Sequence, residues 1–287
     1  MMIFVKILSK VGLLLIVIAL LFLFSSVYSQ NLEQPQKTNL KSNYGFIENK
    51  GQIHDQNYQP NSSVKYLLTL NNGLNVQLKA NSFSYDTYMI ERTKKEKKEN
   101  EELEMPHHLF DSIDNYDITY KFHRVDIELV NANPNPEIVA EGASEDYLNY
   151  YNAVTPEEGA TFVRYYQKVT YKNIYPGIDI EFVTNPNSEK TFEYNFIVHP
   201  GADASQIRIK YQGANETKLS EGKINIKVAH GNFYESIPQS HLQESNEKVE
   251  VSYMKFDVNE FGFHVPEYDG KQVLVIDPLL EYIFWWK

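Results

Sequence analysis

The chain has 287 residues and is acidic, with 38 Asp and Glu against 27 Lys and Arg and a formal net charge of −11. An acidic chain without a dense basic patch is a poor nucleic-acid binder, because phosphate neutralisation dominates such affinity. It contains no Cys, which excludes disulfides, thiolate zinc sites, Cys nucleophiles and an acylated-Cys anchor.

The N-terminus predicts an export signal. Two lysines precede an apolar run over residues 11–24, and small or polar residues follow it. This order is typical of a signal peptide, and Val27 and Ser29 fit the positions before cleavage. We expect residues 1–29 to be cleaved after Ser29, the protein to be secreted or to reach the cell surface, and membrane contact only before cleavage. The alternative is a retained anchor, since the stretch is almost long enough to span a bilayer.

Residues 30–43 are polar and aperiodic, and they predict a flexible leader before an all-β domain over residues 44–282. Asn71-Asn72-Gly73 is a hairpin signal, because Asn and Gly tolerate the positive φ that tight turns require. The first predicted strands of the domain cover residues 64–70, 74–78 and 83–90.

The next segment, Glu91 to Glu104, is almost wholly charged. Mixed charge with a single Leu cannot bury a face, so the composition predicts a mobile loop. We place a boundary between two lobes of the domain at residues 91–112. His107-His108 lies in this loop, but no third ligand is near in sequence, so no metal site is predicted there.

The clearest element is a hairpin flanked by two Pro-Gly turns. Ile178, Ile180 and Phe182 alternate with two acidic residues, and an alternating apolar run continues over residues 192–198. Period-two alternation predicts strands with one buried face and one wetter face. Pro and Gly at both ends, and Asn-Pro-Asn-Ser at 185–188, provide the turns.

Further short strands are predicted on both sides of this hairpin, with Gly and Pro in the connections and no convincing amphipathic helix. This spacing favours an antiparallel β-sandwich of two packed strand sets with little helix, and it disfavours βαβ units. The remaining predicted strands cover residues 116–130, 162–171, 207–211, 224–228, 233–237, 249–258, 261–265 and 273–276.

Five sequence stretches carry a resemblance to a known family. They are FIENKGQ at 46–52, YYNAVTP at 150–156, VTYKNIYPGIDIEF at 169–182, EYNFIVHPGADASQIRIKYQGA at 193–214 and VIDPLLEY at 275–282. Together they resemble the N-terminal domain of unknown function that precedes SBBP-type β-propeller repeats in large secreted proteins of Bacteroidota. The resemblance implies an all-β extracellular module with downstream β-propeller or PKD-like domains as partners. It implies no activity.

The last five residues, 283–287, read IFWWK and depart from that family, whose members continue into propeller repeats. Adjacent aromatic side chains at a chain end are unfavourable when they are exposed to solvent. They are expected either to dock on the domain or to mark a truncated reading frame, and we favour truncation.

Asp179, Glu181 and Glu193 are the carboxylates that allow a catalytic hypothesis. Asp179 and Glu181 are expected on one side of a strand about 7 Å apart, with Glu193 across the hairpin. Glycosidases need carboxyl separations of about 5 to 9.5 Å. The same pattern is expected of any wet sheet face, and nothing in the sequence builds a cleft around it, so we favour a structural role.

A second candidate site is a group of tyrosines that would form a stacking platform for sugar rings, because an aromatic ring offers a large rigid face with a polar tip. Adjacent strand residues point to opposite faces, so about half of them are expected in the core. The candidates are Tyr147, Tyr150, Tyr151, Tyr165 and Tyr166.

Asp203 and Asp277 lie in loops and suit a Ca²⁺ ion as hard oxygen ligands, but without a calcium-loop spacing we favour turn capping. No hydrolase, metalloprotease or phosphate-loop motif occurs, so we expect neither cofactor nor metal. The sequence thus predicts a secreted, non-enzymatic β-sandwich module of an adhesion or surface-assembly protein that contacts surface glycans or envelope proteins. The alternative is a carbohydrate-binding or carbohydrate-active domain that uses Asp179, Glu181 and Glu193.

Overall fold

The computed structural model describes residues 44–70, 73–95, 116–152, 155–184, 192–236 and 239–284. These residues form antiparallel strands and one short 3₁₀ helix, Ala204–Gln206, and none of them forms an α-helix. The predicted all-β fold is confirmed. None of the described segments is a helix long and apolar enough to cross a membrane. The predicted signal peptide, the leader and His107-His108 lie outside the described residues.

The strands occur in the following order along the described chain: β1 (Phe46–Glu48), β2 (Tyr66–Leu70), β3 (Leu74–Leu78), β4 (Ser82–Lys94), β5 (Tyr116–Leu129), β6 (Glu137–Ala143), β7 (Leu148–Tyr150), β8 (Ala160–Val163), β9 (Tyr165–Tyr175), β10 (Ile178–Val183), β11 (Glu193–Val198), β12 (Arg208–Gln212), β13 (Glu216–Ser220), β14 (Lys223–Val228), β15 (Gly231–Glu235), β16 (Gln239–Leu242), β17 (Lys248–Val249), β18 (Ser252–Asp257), β19 (Glu260–His264), β20 (Leu274–Asp277) and β21 (Leu280–Phe284).

The main sheet branches at β9. Along one edge β9 pairs with β6, and along the other it pairs first with β1 and then with β10. From β1 the sheet continues through β2, β3, β4, β5, β12, β19 and β18, and from β10 it continues through β11, β20, β16 and β17. The two arms of one sheet therefore supply the two strand sets of the sandwich. A separate sheet has the order β13-β14-β15-β21, and β7 pairs with β8.

The predicted central hairpin is confirmed as β10 and β11. Ile178 faces Val198, Ile180 faces Phe196 and Phe182 faces Tyr194. All of these side chains are buried. Directly opposed residues share a face, so the alternation in the sequence places one row of large apolar side chains in the core.

The core lies between the two arms of the main sheet. The Phe83 ring of β4 packs 5.2 Å from both the Phe182 and the Tyr194 rings of the hairpin. Phe196 packs 5.7 Å from Phe263 of β19. Phe233 of the smaller sheet reaches the same core against Tyr85, at 5.2 Å. The Phe83–Phe182 and Phe196–Phe263 contacts are edge-on, and such contacts stabilise a core beyond simple area burial.

β4 and β5 form a hairpin longer than the composition predicts. Residues 91–94, expected in the charged loop, belong to β4 and pair with residues 116–119 of β5. Ion pairs between Lys121 and Glu91 and between Lys95 and Asp117 accompany this pairing. The pairing with β5, and not the composition of residues 91–94 alone, therefore sets where β4 ends. Residues 96–115 lie outside the described residues, and the boundary between two lobes stays a prediction.

Candidate functional site

An open cleft of about 720 Å³ lies on the face of β3, β4 and β5 that points away from the core. The alternation along these strands explains its polar floor. Leu74, Val76 and Leu78 are buried in the core, so Asn75 and Gln77 between them point to the opposite face. Both line the cleft.

The centre of the floor is an ion pair between neighbouring strands. Asp86 of β4 pairs in register with Arg124 of β5, and Arg124 donates to both carboxylate oxygens, from Nε at 2.6 Å and from Nη2 at 3.0 Å. This two-point geometry suits a guanidinium and a carboxylate. The hydrogen bond to Asp86 raises the pKa of Arg124. Asp86 is only 7% exposed, so the pair is a rigid, charge-compensated part of the floor.

The Gln77 amide is oriented by the same carboxylate. Its Nε2 donates to Asp86 Oδ2 at 2.6 Å. An ionised carboxylate only accepts hydrogen bonds, so the amide nitrogen must face Asp86 and the amide oxygen must point elsewhere. Gln77 Oε1 and Asn75 Oδ1 are buried and have no hydrogen-bond partner among the described residues. Both acceptors lie below the accessible surface of the floor, so they belong to the layer beneath the groups that a ligand would contact.

The walls of the cleft are apolar and aromatic. Phe122 of β5, which is 63% exposed, stands on one side. Tyr150 of β7 and the apolar Ile47 and Leu67 of β1 and β2 complete the apolar lining. Aromatic walls around a few oriented polar groups are typical of small-molecule sites.

The remaining wall is the turn at residues 52–56, which follows the FIENKGQ stretch. Asn49 Nδ2 holds this turn through hydrogen bonds to the Asn61 and Val64 carbonyls, at 2.9 and 2.8 Å. Gly51 has φ of +103°, and a Cβ there would lie 2.8 Å from the Pro156 ring. Only glycine fits this position without strain, so the turn is held close to the 155–160 segment.

The predicted carboxylates lie away from the cleft. Asp179 is 3% exposed, and it accepts hydrogen bonds from the Asn173 backbone N at 2.7 Å, Lys172 Nζ at 2.9 Å and His199 Nε2 at 3.0 Å. Burial alone would raise the pKa of Asp179, but these bonds outweigh it and lower the pKa. An ionised, fully engaged carboxylate stabilises the local backbone, where Asn173 has φ of +49°.

The other two carboxylates occupy the hairpin flanks. Glu181 Oε1 lies 3.5 Å from both Lys168 Nζ and Thr170 Oγ1. Glu193 pairs in register with Val183 at the far end of β10 and β11. None of the three lines the cleft, and their catalytic use stays a prediction.

The structure separates the five predicted tyrosines. Tyr150 lines the cleft, and Tyr150 and Tyr165 line a smaller adjoining pocket. Tyr166 packs edge-on against Tyr66, with ring centroids 5.9 Å apart. Tyr147 lies on another exposed patch beside Phe162, at 4.7 Å, and Tyr151 is also exposed. Only Tyr150 meets the polar floor.

Asp203 and Asp277, for which turn capping is the favoured prediction, lie in different elements of the fold. Asp203 caps the 3₁₀ helix, where its Oδ1 accepts from the Ser205 backbone N at 2.9 Å. Asp277 ends β20 and pairs in register with Gln239. Within the described residues, no three His, Asp or Glu side chains are grouped as a metal site requires.

A second buried carboxylate, Glu235, lies in the core. It is 0% exposed, and its Oε2 accepts hydrogen bonds from the Tyr194 and Tyr211 hydroxyls, both at 2.6 Å. Burial raises the pKa of Glu235 to about 7, although the two hydrogen bonds act in the opposite direction. Glu235 does not line the cleft, and its two hydrogen-bond donors are buried tyrosines, so this group belongs to the packing of the core.

Residues 46–279 match the family described as a domain of unknown function, DUF7948. The chain belongs to the DUF7948 family. The match covers all the cleft residues and the central hairpin. Neither a curated protein nor a solved structure matches the chain. The function of this DUF7948 domain must therefore be argued from its own cleft.

Proposed function

We propose that this DUF7948 domain is an exported, non-catalytic adhesion module that binds carbohydrate in the cleft of β3, β4 and β5. The observation that carries the proposal is the combination in one cleft of a hydrogen-bonding floor with an exposed aromatic wall. Sugars present hydroxyl groups at their edges and an apolar face of C–H groups. A floor of amide and carboxylate groups beside Phe122 offers a partner to each.

The charges of the cleft support binding rather than catalysis. Asp86 is held by Arg124 at 2.6 and 3.0 Å and by Gln77 at 2.6 Å. Both oxygens of Asp86 are engaged by these donors, so the carboxylate is held in place as part of the floor. Asp55, the other acid of the cleft, accepts hydrogen bonds from the backbone N of Asn57 and Gln59. Both carboxylates thus have positioning roles.

Export and assembly complete the proposal. The pattern of residues 1–29 supports secretion or display at the cell surface. The resemblance to domains that precede SBBP-type repeats supports a place at the N-terminal end of a larger surface protein, with β-propeller or PKD-like domains following. In that setting the cleft would attach the protein to a surface glycan.

A glycan-binding assay with matched aromatic variants tests the proposal. The purified protein is applied to an immobilised panel of bacterial, plant and host oligosaccharides. Phe122→Ala should lower the affinity for the bound glycan about ten-fold, as the loss of one stacked ring implies. Phe162→Ala is the matched control, because Phe162 is 58% exposed but lies outside the cleft. It should leave the affinity within about two-fold.

Two outcomes would contradict the proposal. One is the absence of binding to every glycan by a protein with a cooperative unfolding transition. The other is binding that Phe122→Ala and Phe162→Ala weaken equally, which would place the ligand elsewhere.

A further inference from the structure

The hairpin of β4 and β5 extends beyond the rest of the sheet. β3 pairs with β4 only as far as Leu74 opposite Thr87, and β12 pairs with β5 only over residues 126–129. Among the described residues, the continuation over residues 88–94 and 116–122 pairs as a strand only within itself, and Tyr88 N also donates a hydrogen bond to the Gly73 carbonyl at 2.8 Å. We name this continuation the ribbon. An isolated two-stranded ribbon is marginally stable in water, so an apolar ribbon surface implies an interaction.

One face of the ribbon is exposed and mostly apolar, with two basic residues, Arg92 and Lys94, at its outer end. Opposed residues share a face, which groups Tyr88 with Phe122, Ile90 with Tyr120, Arg92 with Ile118 and Lys94 with Tyr116. Tyr120 is 53% exposed and Ile118 is 48% exposed. The opposite face carries Met89, Glu91, Thr93, Asp117, Thr119 and Lys121. We name the first of these the aromatic face. Contiguous exposed apolar surface of this kind marks a binding site.

The aromatic face continues directly into the cleft. The next opposed pair inward from Tyr88 and Phe122 is Asp86 with Arg124, the ion pair of the cleft floor. Phe122 belongs to both surfaces. From Arg124 to Tyr116 the track is about 27 Å long at the rise of an antiparallel strand. The cleft and the aromatic face are therefore one continuous surface with a polar end and an aromatic end.

The rings along this track have a geometry suited to flat ligands. The Tyr120 and Phe122 rings are 6.2 Å apart and inclined by only 20°. Tyr88 lies beside both, at 6.1 and 5.8 Å. These three rings form one aromatic cluster that starts at the cleft and continues outward along the ribbon. A chain of several sugars would contact this cluster and the cleft together, whereas a single sugar would reach only one of them.

We infer that the cleft and the aromatic face together bind a linear, neutral glycan of several β-1,4-linked pyranose units. This inference rests on the proposed function and adds the ligand class. The terminal or internal sugar in the cleft contacts the floor, and the following units stack along Phe122, Tyr120 and Tyr116. Equatorial β-1,4 linkages keep such a chain extended and its ring faces flat. Because Asp86 and Arg124 neutralise each other, the floor favours an uncharged sugar.

Charged groups also face the far end of the track. Arg92 and Lys94 lie on the aromatic face at its outer rungs, and Lys121, which pairs with Glu91 at 2.8 Å, lies on the other face. An anionic glycan would use these cations, and its binding would weaken steeply with salt. A neutral glycan that stacks on the rings should bind with little dependence on salt.

A chain-length series tests the inference. The purified protein is titrated by calorimetry with soluble β-1,4-linked oligomers of glucose, mannose and N-acetylglucosamine, from two to six units. We expect the affinity for the matching sugar to rise with length. Tyr120→Ala should lower the affinity for the hexamer about ten-fold and leave the dimer unchanged. Phe122→Ala should lower the affinity for the hexamer and for the dimer. Lys121→Ala, a variant of the opposite face, should change neither.

The outcomes separate this inference from the proposed function. Binding that is independent of chain length, or unaffected by Tyr120→Ala in a protein with unchanged Tm, would overturn the extended site and leave the cleft as a short-sugar site. Salt-sensitive binding of acidic glycans alone would overturn the neutral class. Absence of binding to any glycan, with self-association that Tyr120→Ala abolishes, would overturn both and make the aromatic face a protein contact.

Discussion

Asp86 and Glu235 are both almost fully buried carboxylates, but their hydrogen-bond partners differ in charge. Asp86 lies on the outer face of the sheet with the guanidinium of Arg124, whereas Glu235 lies in the core with the hydroxyls of Tyr194 and Tyr211. A cation stabilises the ionised form, and a neutral hydroxyl offsets only part of the desolvation cost. The two carboxylates are therefore alike in burial and differ in the charge of the partner that compensates it.

The largest effect that we expect is a pH dependence of the free energy of unfolding, caused by the titration of Glu235. Its folded-state pKa of about 7 exceeds the ordinary value of 4.5, so the folded state binds an extra proton between these values. The contribution of Glu235 to stability is fully present below pH 4.5 and is lost as the pH rises through 7. The full loss corresponds to about 3 kcal/mol.

Urea unfolding at pH 5 and pH 8 measures this contribution. Glu235→Gln should reduce the difference between the two pH values, because it removes the titrating group and keeps a neutral acceptor for the tyrosines. The exposed Glu281→Gln serves as the control and should leave the difference as in the unmodified protein. An equal pH difference in the Glu235→Gln protein would show that Glu235 does not titrate in this range.

The next effect tests the other half of the comparison. Arg124→Ala leaves the Asp86 carboxylate buried without its cation. Removal of one partner of a fully buried pair costs about 3 to 5 kcal/mol. Because the Arg124 side chain is 42% exposed, we expect a smaller loss of about 2 kcal/mol. Urea unfolding at pH 7 provides the measurement.

Arg124→Lys separates charge from geometry in that experiment. Lysine keeps the positive charge but cannot make the two-point contact. Arg124→Lys should therefore lower the free energy of unfolding about half as much as Arg124→Ala. Equal stability of all three proteins would mean that water screens Asp86 despite its low exposure, and the contrast with Glu235 would fail.

The smallest effect concerns the tyrosine hydroxyls around Glu235. Tyr211→Phe removes one of the two hydrogen bonds to Oε2, both 2.6 Å long. At pH 5 this variant should lower the free energy of unfolding by about 1 kcal/mol, which is typical of one hydrogen bond. Because these bonds lower the pKa of Glu235, their removal should also move the midpoint of the pH-dependent stability change upward. A lower midpoint in the same titration would contradict the assigned roles.

Local alternation predicted much of the fold. The rows Ile178, Ile180, Phe182 and Phe196, Val198 are buried as the period-two pattern requires. The predicted hairpin of β2 and β3 also forms, since Leu70 pairs with Leu74, and Gly73 has φ of +84°. These features depend on neighbours within a few residues, so the sequence contains all the information that they need.

The charged residues 91–94 show where that reasoning stops. Their composition predicts a loop, but they form the outer end of β4, because β5 supplies a partner strand with Ile118 and Tyr120. Strand propensity depends on cross-strand context more than on the residue itself. A strand that becomes stable only through its partner is not visible in its own composition.

The candidate site shows the same limit. Asn75 and Gln77 are ordinary polar residues between buried ones, and Asp86 and Arg124 are separated by 38 residues. Nothing local indicates that the pairing of three strands places all four on one floor. Of the predicted site residues, only Tyr150 reaches that floor, through β7. In the sequence, Asp179, Glu181 and Glu193 look like an acidic site. In the structure, Asp179 instead accepts three hydrogen bonds from neighbouring residues.

The order of apolar and polar residues by itself determined that this protein is built of short strands with one buried face, because that pattern acts between residues adjacent along the chain. Only the tertiary structure decided which outward-facing side chains meet and which carboxylates have a cation beside them. Strand register joins residues that are distant in sequence, and a shift of one residue would turn each of them to the other face. For that reason the fold class follows from the pattern, and the cleft follows from the pairing.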